Sequence, residues 1–116
     1  MRAGQQLSFV EQELYAFCKK VARICGKRFD LKYRSIEIFA DDDPDRKNTA
    51  GMCTPDGEIY LTVRQGIRGR FETIEELIDT VTHELAHLRF FDHGPKFKRF
   101  HSKMKRWFKE THINNR

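Results

Sequence analysis

The sequence predicts an α+β fold in a single domain over residues 1–116: an N-terminal helix, a small, mostly antiparallel sheet, a second helix that carries the chemistry, and a basic C-terminal helix. Three observations predict it. Two Ser/Thr-x-x-Glu capping boxes each open a run with apolar residues at helical spacing. Between them lies a segment of alternating apolar residues that follows a Pro-Asp-Gly turn. The length, 116 residues, suits one modest core.

The first capping box is Ser8 with Glu11. Val10, Leu14, Phe17, Val21 and Ile24 follow at helical spacing, with Cys18 and Cys25 beside them. Gly26 is the expected C-cap, so the helix is predicted over Phe9 to Cys25. Ser35 to Phe39 alternates and predicts a strand. Asp41 to Asn48 contains no apolar residue and predicts a solvated loop. Its acids lack the Gly and closing Glu of a calcium loop, and Pro44 interrupts them. Ala50 to Cys53 predicts a second strand. Thr54-Pro55-Asp56-Gly57 is a turn, since Pro presets φ and Gly tolerates positive φ. Glu58 to Arg64 then places Ile59, Leu61 and Val63 on one face, and a hairpin is expected.

Thr73 with Glu76 opens the second helix, whose apolar stripe is Ile74, Leu77, Ile78, Val81, Leu85 and Leu88. The pattern fades from Phe90 to Asp92. Gly94-Pro95 starts a third helix with Pro in its first turn. Its inner face is Phe97, Phe100, Met104, Trp107 and Phe108, and it is expected to fray toward Arg116.

Composition narrows the function. Apolar content of 39% and aromatic content of 12% fit a folded chain. No apolar run nears the ~20 residues that span a bilayer. The N-terminus lacks the pattern of a secretion signal. A cytoplasmic protein with no membrane partner is therefore expected. Three cysteines without a Cys-x-x-Cys pair predict neither a disulfide framework nor a zinc ribbon, and Cys18 and Cys25 are read as core.

The second helix contains His83-Glu84-Leu85-Ala86-His87, an HExxH pattern. At ~100° per residue the two histidines stand one turn apart on one side, where both imidazoles reach one metal ion. Taking Ile74 as the centre of the apolar stripe, His83 lies roughly opposite and His87 about 140° away. They share a polar stripe with Glu76 and Thr80, so the helix should have one face in the core and the other on a cleft. Glu84 is offset by a further ~100°, near enough to meet an attacking water without being a ligand. Catalytic zinc takes three protein ligands and keeps one position open. His93 is the third, just past the helix, where a turn anchored in the core by Phe90 and Phe91 can swing it back. Zn2+ is thus the expected cofactor, on His83, His87 and His93, with Glu84 as general base. Tyr60 and His101 are the candidates for a second oxyanion donor. His112 has no expected role.

The run from His83 to Phe97 resembles the active-site segment of the SprT-like, WLM and YgjP-type metallopeptidases: HExxH, a short spacer, then His-Gly with an aromatic residue a little further on. The resemblance implies a zincin-like minimal peptidase fold and a zinc metalloendopeptidase. It also implies that the edge strand near the cleft, expected at Glu58 to Arg64, binds an extended protein or peptide substrate by strand addition. The interval from His87 to His93 equals that of metzincins, but Phe90 stands at their Gly position and no Met-turn follows. YbeY-type endoribonucleases share the His spacing without the Glu, which makes metal-dependent RNA cleavage the alternative. A noncatalytic, zinc-stabilised nucleic-acid-binding module, with Cys53 closing the site, is the third reading.

The charge is unevenly placed. Residues 95–116 hold eight Lys/Arg against one acid, Glu110, so the net +5 of the chain resides at its C-terminus. Lys96, Lys98, Arg99, Lys103, Lys105, Arg106 and Lys109 cover the outer faces of the third helix. Such a face attracts phosphate backbones in a salt-sensitive way, so nucleic acid is an expected partner through Lys96 to Lys109; an acidic protein fits the same charge. Substrate proteins associated with DNA are the corresponding expectation.

Overall fold

In a computed structural model of the chain, which describes residues 8–39, 50–64 and 70–114, both predicted capping boxes form. Ser8 Oγ accepts from the Glu11 N–H at 3.2 Å, and the Glu11 carboxylate accepts from the Ser8 N–H at 2.9 Å. Thr73 and Glu76 repeat the arrangement at 3.1 and 2.8 Å. Each satisfies two backbone donors that a helix start otherwise leaves without an intrahelical acceptor.

The first helix, α1, runs Phe9–Phe29, four residues past the predicted end. Gly26 does not terminate it. Asp30 does, in the left-handed conformation at φ 56°, with its N–H on the Gly26 carbonyl. Asp tolerates that conformation because its short polar side chain bonds locally. Gly26 serves a close approach instead: a Cβ there would stand 3.0 Å from the Leu31 carbonyl oxygen.

Three short strands follow: β1, Ser35–Ile38; β2, Gly51–Cys53; and β3, Glu58–Leu61. The sheet order is β1-β3-β2. β2 and β3 form the expected hairpin, with Met52 opposite Tyr60. Gly57 sits in its turn at φ +87° and donates to the Thr54 carbonyl at 3.0 Å. β1 pairs with β3 in parallel, Ile36 opposite Ile59, so the sheet is mixed. β3 is therefore the central strand and cannot be the edge that receives a substrate; β2 is the edge beside α2. The acidic stretch Asp41 to Asn48 lies outside the described residues.

The second helix, α2, spans Ile74–Ala86, and the third, α3, spans Pro95–Phe108 and continues as a wide π turn over Lys109–Ile113. α2 is the centre of the fold. Leu77, Ile78, Val81 and Leu85 are buried in one core with Cys18, Val21 and Cys25 of α1, Phe97, Met104 and Phe108 of α3, and Ile36, Ile38, Ile59 and Leu61 of the sheet. Ile74, the expected centre of the stripe, is 41% exposed because it occupies the first turn, beyond the reach of the sheet. Each large apolar side chain buried in this way contributes about 1.5–3 kcal/mol. No helix among the described residues is long and apolar enough to cross a membrane.

Candidate metal centre

α2 ends at His87, and the chain unwinds through Leu88, Arg89 and Phe90. The Phe90 N–H still donates to the Ala86 carbonyl at 3.0 Å, so the backbone folds over the helix end. Asp92 Oδ1 accepts weakly from the Gly94 N–H at 3.4 Å, and Pro95 then opens α3. His93 is thereby returned to the two helix histidines. His83 Nε2 lies 3.2 Å from His87 Nε2 and 3.3 Å from His93 Nε2. The three residues form one cluster whose ligand atoms all lie within 4.8 Å of one another.

This donor set fits zinc. Zn–N bonds of about 2.0–2.1 Å at tetrahedral angles separate ligand nitrogens by about 3.3–3.4 Å, close to the two spacings observed. The imidazole of His87 has its tautomer set, because Nδ1 lies 3.1 Å from the Phe90 carbonyl, which can only accept. Its Nε2 therefore presents a lone pair to the cluster when the ring is neutral, and lone pairs facing one another at this range require a cation or a proton between them. Burial, reinforced by His87, His101 and His93, pushes His83 down to about 4. Burial also lowers His87. Neutral imidazole is the form that ligates a metal.

Phe97 forms the floor. Its ring centroid lies 4.9, 4.5 and 5.0 Å from those of His83, His87 and His93. An apolar support of this kind locks ligand rotamers. By helical spacing Phe97 belongs to the core stripe alone; its position four residues after His93 is the signal that it returns to the site.

Glu84 is 5% exposed, and burial raises its carboxyl to about 7. It is held against β2, where Gly51 leaves room for it. The cleft is about 390 Å3 and is lined by Gly51, Met52, Cys53, His83, Glu84, His87, Phe91 and His93. Phe91 does not anchor the turn in the core as expected. Phe90 does, edge-on to Phe100 at 5.9 Å, while Phe91 is 58% exposed at the cleft. Phe90 packs partly buried against the core while its neighbour turns to the cleft.

Cys53 lines the cleft but stands outside the histidine cluster; its thiol donates to the Thr54 carbonyl at 3.6 Å, and burial, with Glu84 nearby, pushes it up to about 11. Neither oxyanion candidate borders the cleft. Tyr60 points to the other face of the sheet and stacks on Phe39 at 5.6 Å. His101 Nε2 lies 3.0 Å from Thr82 Oγ1 and 3.2 Å from the Asp79 carbonyl. Thr82 Oγ1 is itself the donor to the Ile78 carbonyl at 2.7 Å, so both groups accept from the His101 N–H. His101 ties α3 to α2.

The basic helix divides into two faces. Lys105 pairs with Asp79 at 2.8 Å and Lys109 with Glu75 at 2.6 Å, both on α2. Lys96, Arg99, Lys103 and Arg106 fall within roughly 80° of one another on the far side. None of these four has an ion pair among the described residues. Lys96, Arg99 and Lys103 border, with Arg89, a groove of about 270 Å3 floored by Phe90 and Phe100.

The WLM domain family model matches residues 14–115. No curated protein sequence is significantly similar. Among solved structures, the crystal structure of Wss1 from Saccharomyces cerevisiae is 22% identical, with a TM-score of 0.70 over 84% of this chain and 77% of that one. A Wss1 mutant from the same yeast is 19% identical, with a TM-score of 0.72 over 94% and 90%. These likenesses establish the fold: three helices around a small mixed sheet.

Proposed function

The chain belongs to the WLM domain family, a family of the zinc-metallopeptidase type, and we propose that it is a zinc-dependent endopeptidase acting on proteins held near nucleic acid. The observation that carries the reading is the convergence of three imidazole Nε2 atoms beside a buried glutamate on an open cleft. His83, His87 and His93 would hold the metal and leave a fourth position open, as catalytic sites do. When bound, zinc supplies Lewis-acid polarisation of the scissile carbonyl and acidifies water.

The remaining work falls to the chain's own groups. Glu84, with its carboxyl near 7, exchanges a proton at neutral pH. It accepts the proton of the attacking water and delivers it to the leaving amine. The β2 edge, Gly51–Cys53, borders the cleft and would take the substrate as an added strand, with main-chain hydrogen bonds supplying register. The unpaired cations of α3 support a location near phosphate backbones.

The test is incubation of the zinc-loaded protein with an unfolded protein substrate, with new termini read by mass spectrometry. Cleavage that disappears on chelation and in Glu84→Gln is expected. Absence of cleavage, or RNA cleavage that survives Glu84→Ala, would overturn the peptidase reading.

A further inference from the structure

We propose that Phe91 determines specificity in this cleft: its exposed ring forms a subsite for an apolar side chain flanking the scissile bond. The inference rests on the peptidase reading and names its substrate class, an extended peptide with a residue such as Leu, Met or Phe next to the cleaved bond.

Among the described residues, four large hydrophobic side chains are exposed: Phe9, Val10, Ile74 and Phe91. The first three occupy the opening turns of α1 and α2, where a helix has little to pack on. Phe91 alone among them lines the cleft. Its ring lies 6.3 Å from that of His87 at 26°, near-parallel to an imidazole of the metal cluster.

The main chain anchors that placement. The Phe90 carbonyl accepts from His87 Nδ1 and the Phe90 N–H donates to Ala86, so the backbone preceding Phe91 is bonded on both sides to the end of α2. The main chain that carries the ring cannot drift from the metal locus without breaking a bond that also orients a ligand. Such coupling is what a subsite requires, because discrimination depends on a fixed wall beside the reacting carbonyl.

The chemistry of the walls selects the occupant. The cleft is also walled by the edge strand with Gly51, Met52 and Cys53. Apart from Glu84 and the three histidines, the protonated Cys53 is the one ionisable side chain that lines the cleft among the described residues. A charged side chain lodged beside Phe91 would lose water without gaining a charged partner there. An apolar one covers the exposed face of Phe91. A volume of about 390 Å3 admits a side chain together with its backbone.

The test offers the zinc-loaded protein a peptide library randomised at the two positions flanking the bond. In parallel, calorimetry measures binding of two dipeptide hydroxamates that differ only in carrying Leu or Asp. Apolar residues should dominate at one flanking position, and the Leu hydroxamate should bind at least about tenfold tighter. Phe91→Ala should reduce both preferences about tenfold, and Phe91→Leu should retain them. Cleavage whose preference is unchanged in Phe91→Ala overturns the subsite and leaves the peptidase reading standing. If no peptide is cleaved, the peptidase reading fails and the hydroxamate pair decides the subsite. A Leu preference lost in Phe91→Ala then upholds it, and equal binding of the two overturns it.

Discussion

Gly51 on β2 lies directly against Glu84 on α2: a Cβ at position 51 would stand 3.1 Å from both Cγ and Oε2 of the glutamate, and 2.8 Å from Thr80 Cγ2. The bare backbone of one edge residue therefore sets how closely the sheet approaches the helix that carries Glu84. It also dries Glu84, which is why the carboxyl sits near 7.

Gly51→Ala should force β2 and α2 apart. A methyl group 2.8 Å from another methyl cannot be accommodated by rotating a long side chain. We expect a loss of about 1–3 kcal/mol, as for other overpacked sites, and a larger proportional loss of hydrolysis. Urea unfolding and peptide cleavage on the same preparation check both. Wild-type stability with wild-type rate would show that the contact relaxes freely.

Glu84→Gln should retain zinc and lose hydrolysis. It should also change the pH dependence of stability in the metal-free protein. The carboxyl titrates near its ordinary 4.5 when unfolded and near 7 when folded. Between these values the unfolded chain has released a proton that the folded chain keeps, so stability falls as pH rises and the penalty is complete above pH 7. It amounts to about 3 kcal/mol. Metal-free Glu84→Gln should exceed the parent in stability at pH 8 and match it at pH 4. Denaturation after chelation, at the two pH values, reads the difference.

His93→Ala should weaken zinc binding by two or more orders of magnitude without unfolding the chain, because His93 is exposed and lies outside the regular helices. Competition against a chromogenic chelator measures it. Unchanged affinity would remove His93 from the site, whatever its distance to His83.

The two faces of α3 should separate function from stability. Gln at Lys96, Arg99, Lys103 and Arg106 should weaken binding to DNA or RNA. It should also flatten the salt dependence on a duplex, by up to about 0.9 in log–log slope for each phosphate left without its cation, with little change in melting temperature. Gln at Lys105 and Lys109 should do the reverse, since these pair with Asp79 and Glu75. Exposed pairs of this kind contribute roughly 0–1 kcal/mol, so the shift should be small. Equal effects of the two sets on binding would sink the division.

By itself the sequence determined what is local. Ser8–Glu11 and Thr73–Glu76 close within one helical turn, so spacing predicts them. The side-by-side placement of His83 and His87 follows from helix periodicity, and Pro95 marks the start of α3. His93 was legible as a neighbour of that break. The tertiary structure decided what depends on residues far apart in the chain. β3 is central because β1 pairs with it in parallel across an intervening connection, which no local pattern encodes. Gly51 meets Glu84, and Phe97 underlies three imidazoles, only once the sheet and α3 dock on α2. Asp79 and Glu75 divide a helix that reads as uniformly basic. Phe90 and Phe91 are alike in composition, and only the packing surface offered by Phe100 determines which one turns toward the core and which one faces the cleft.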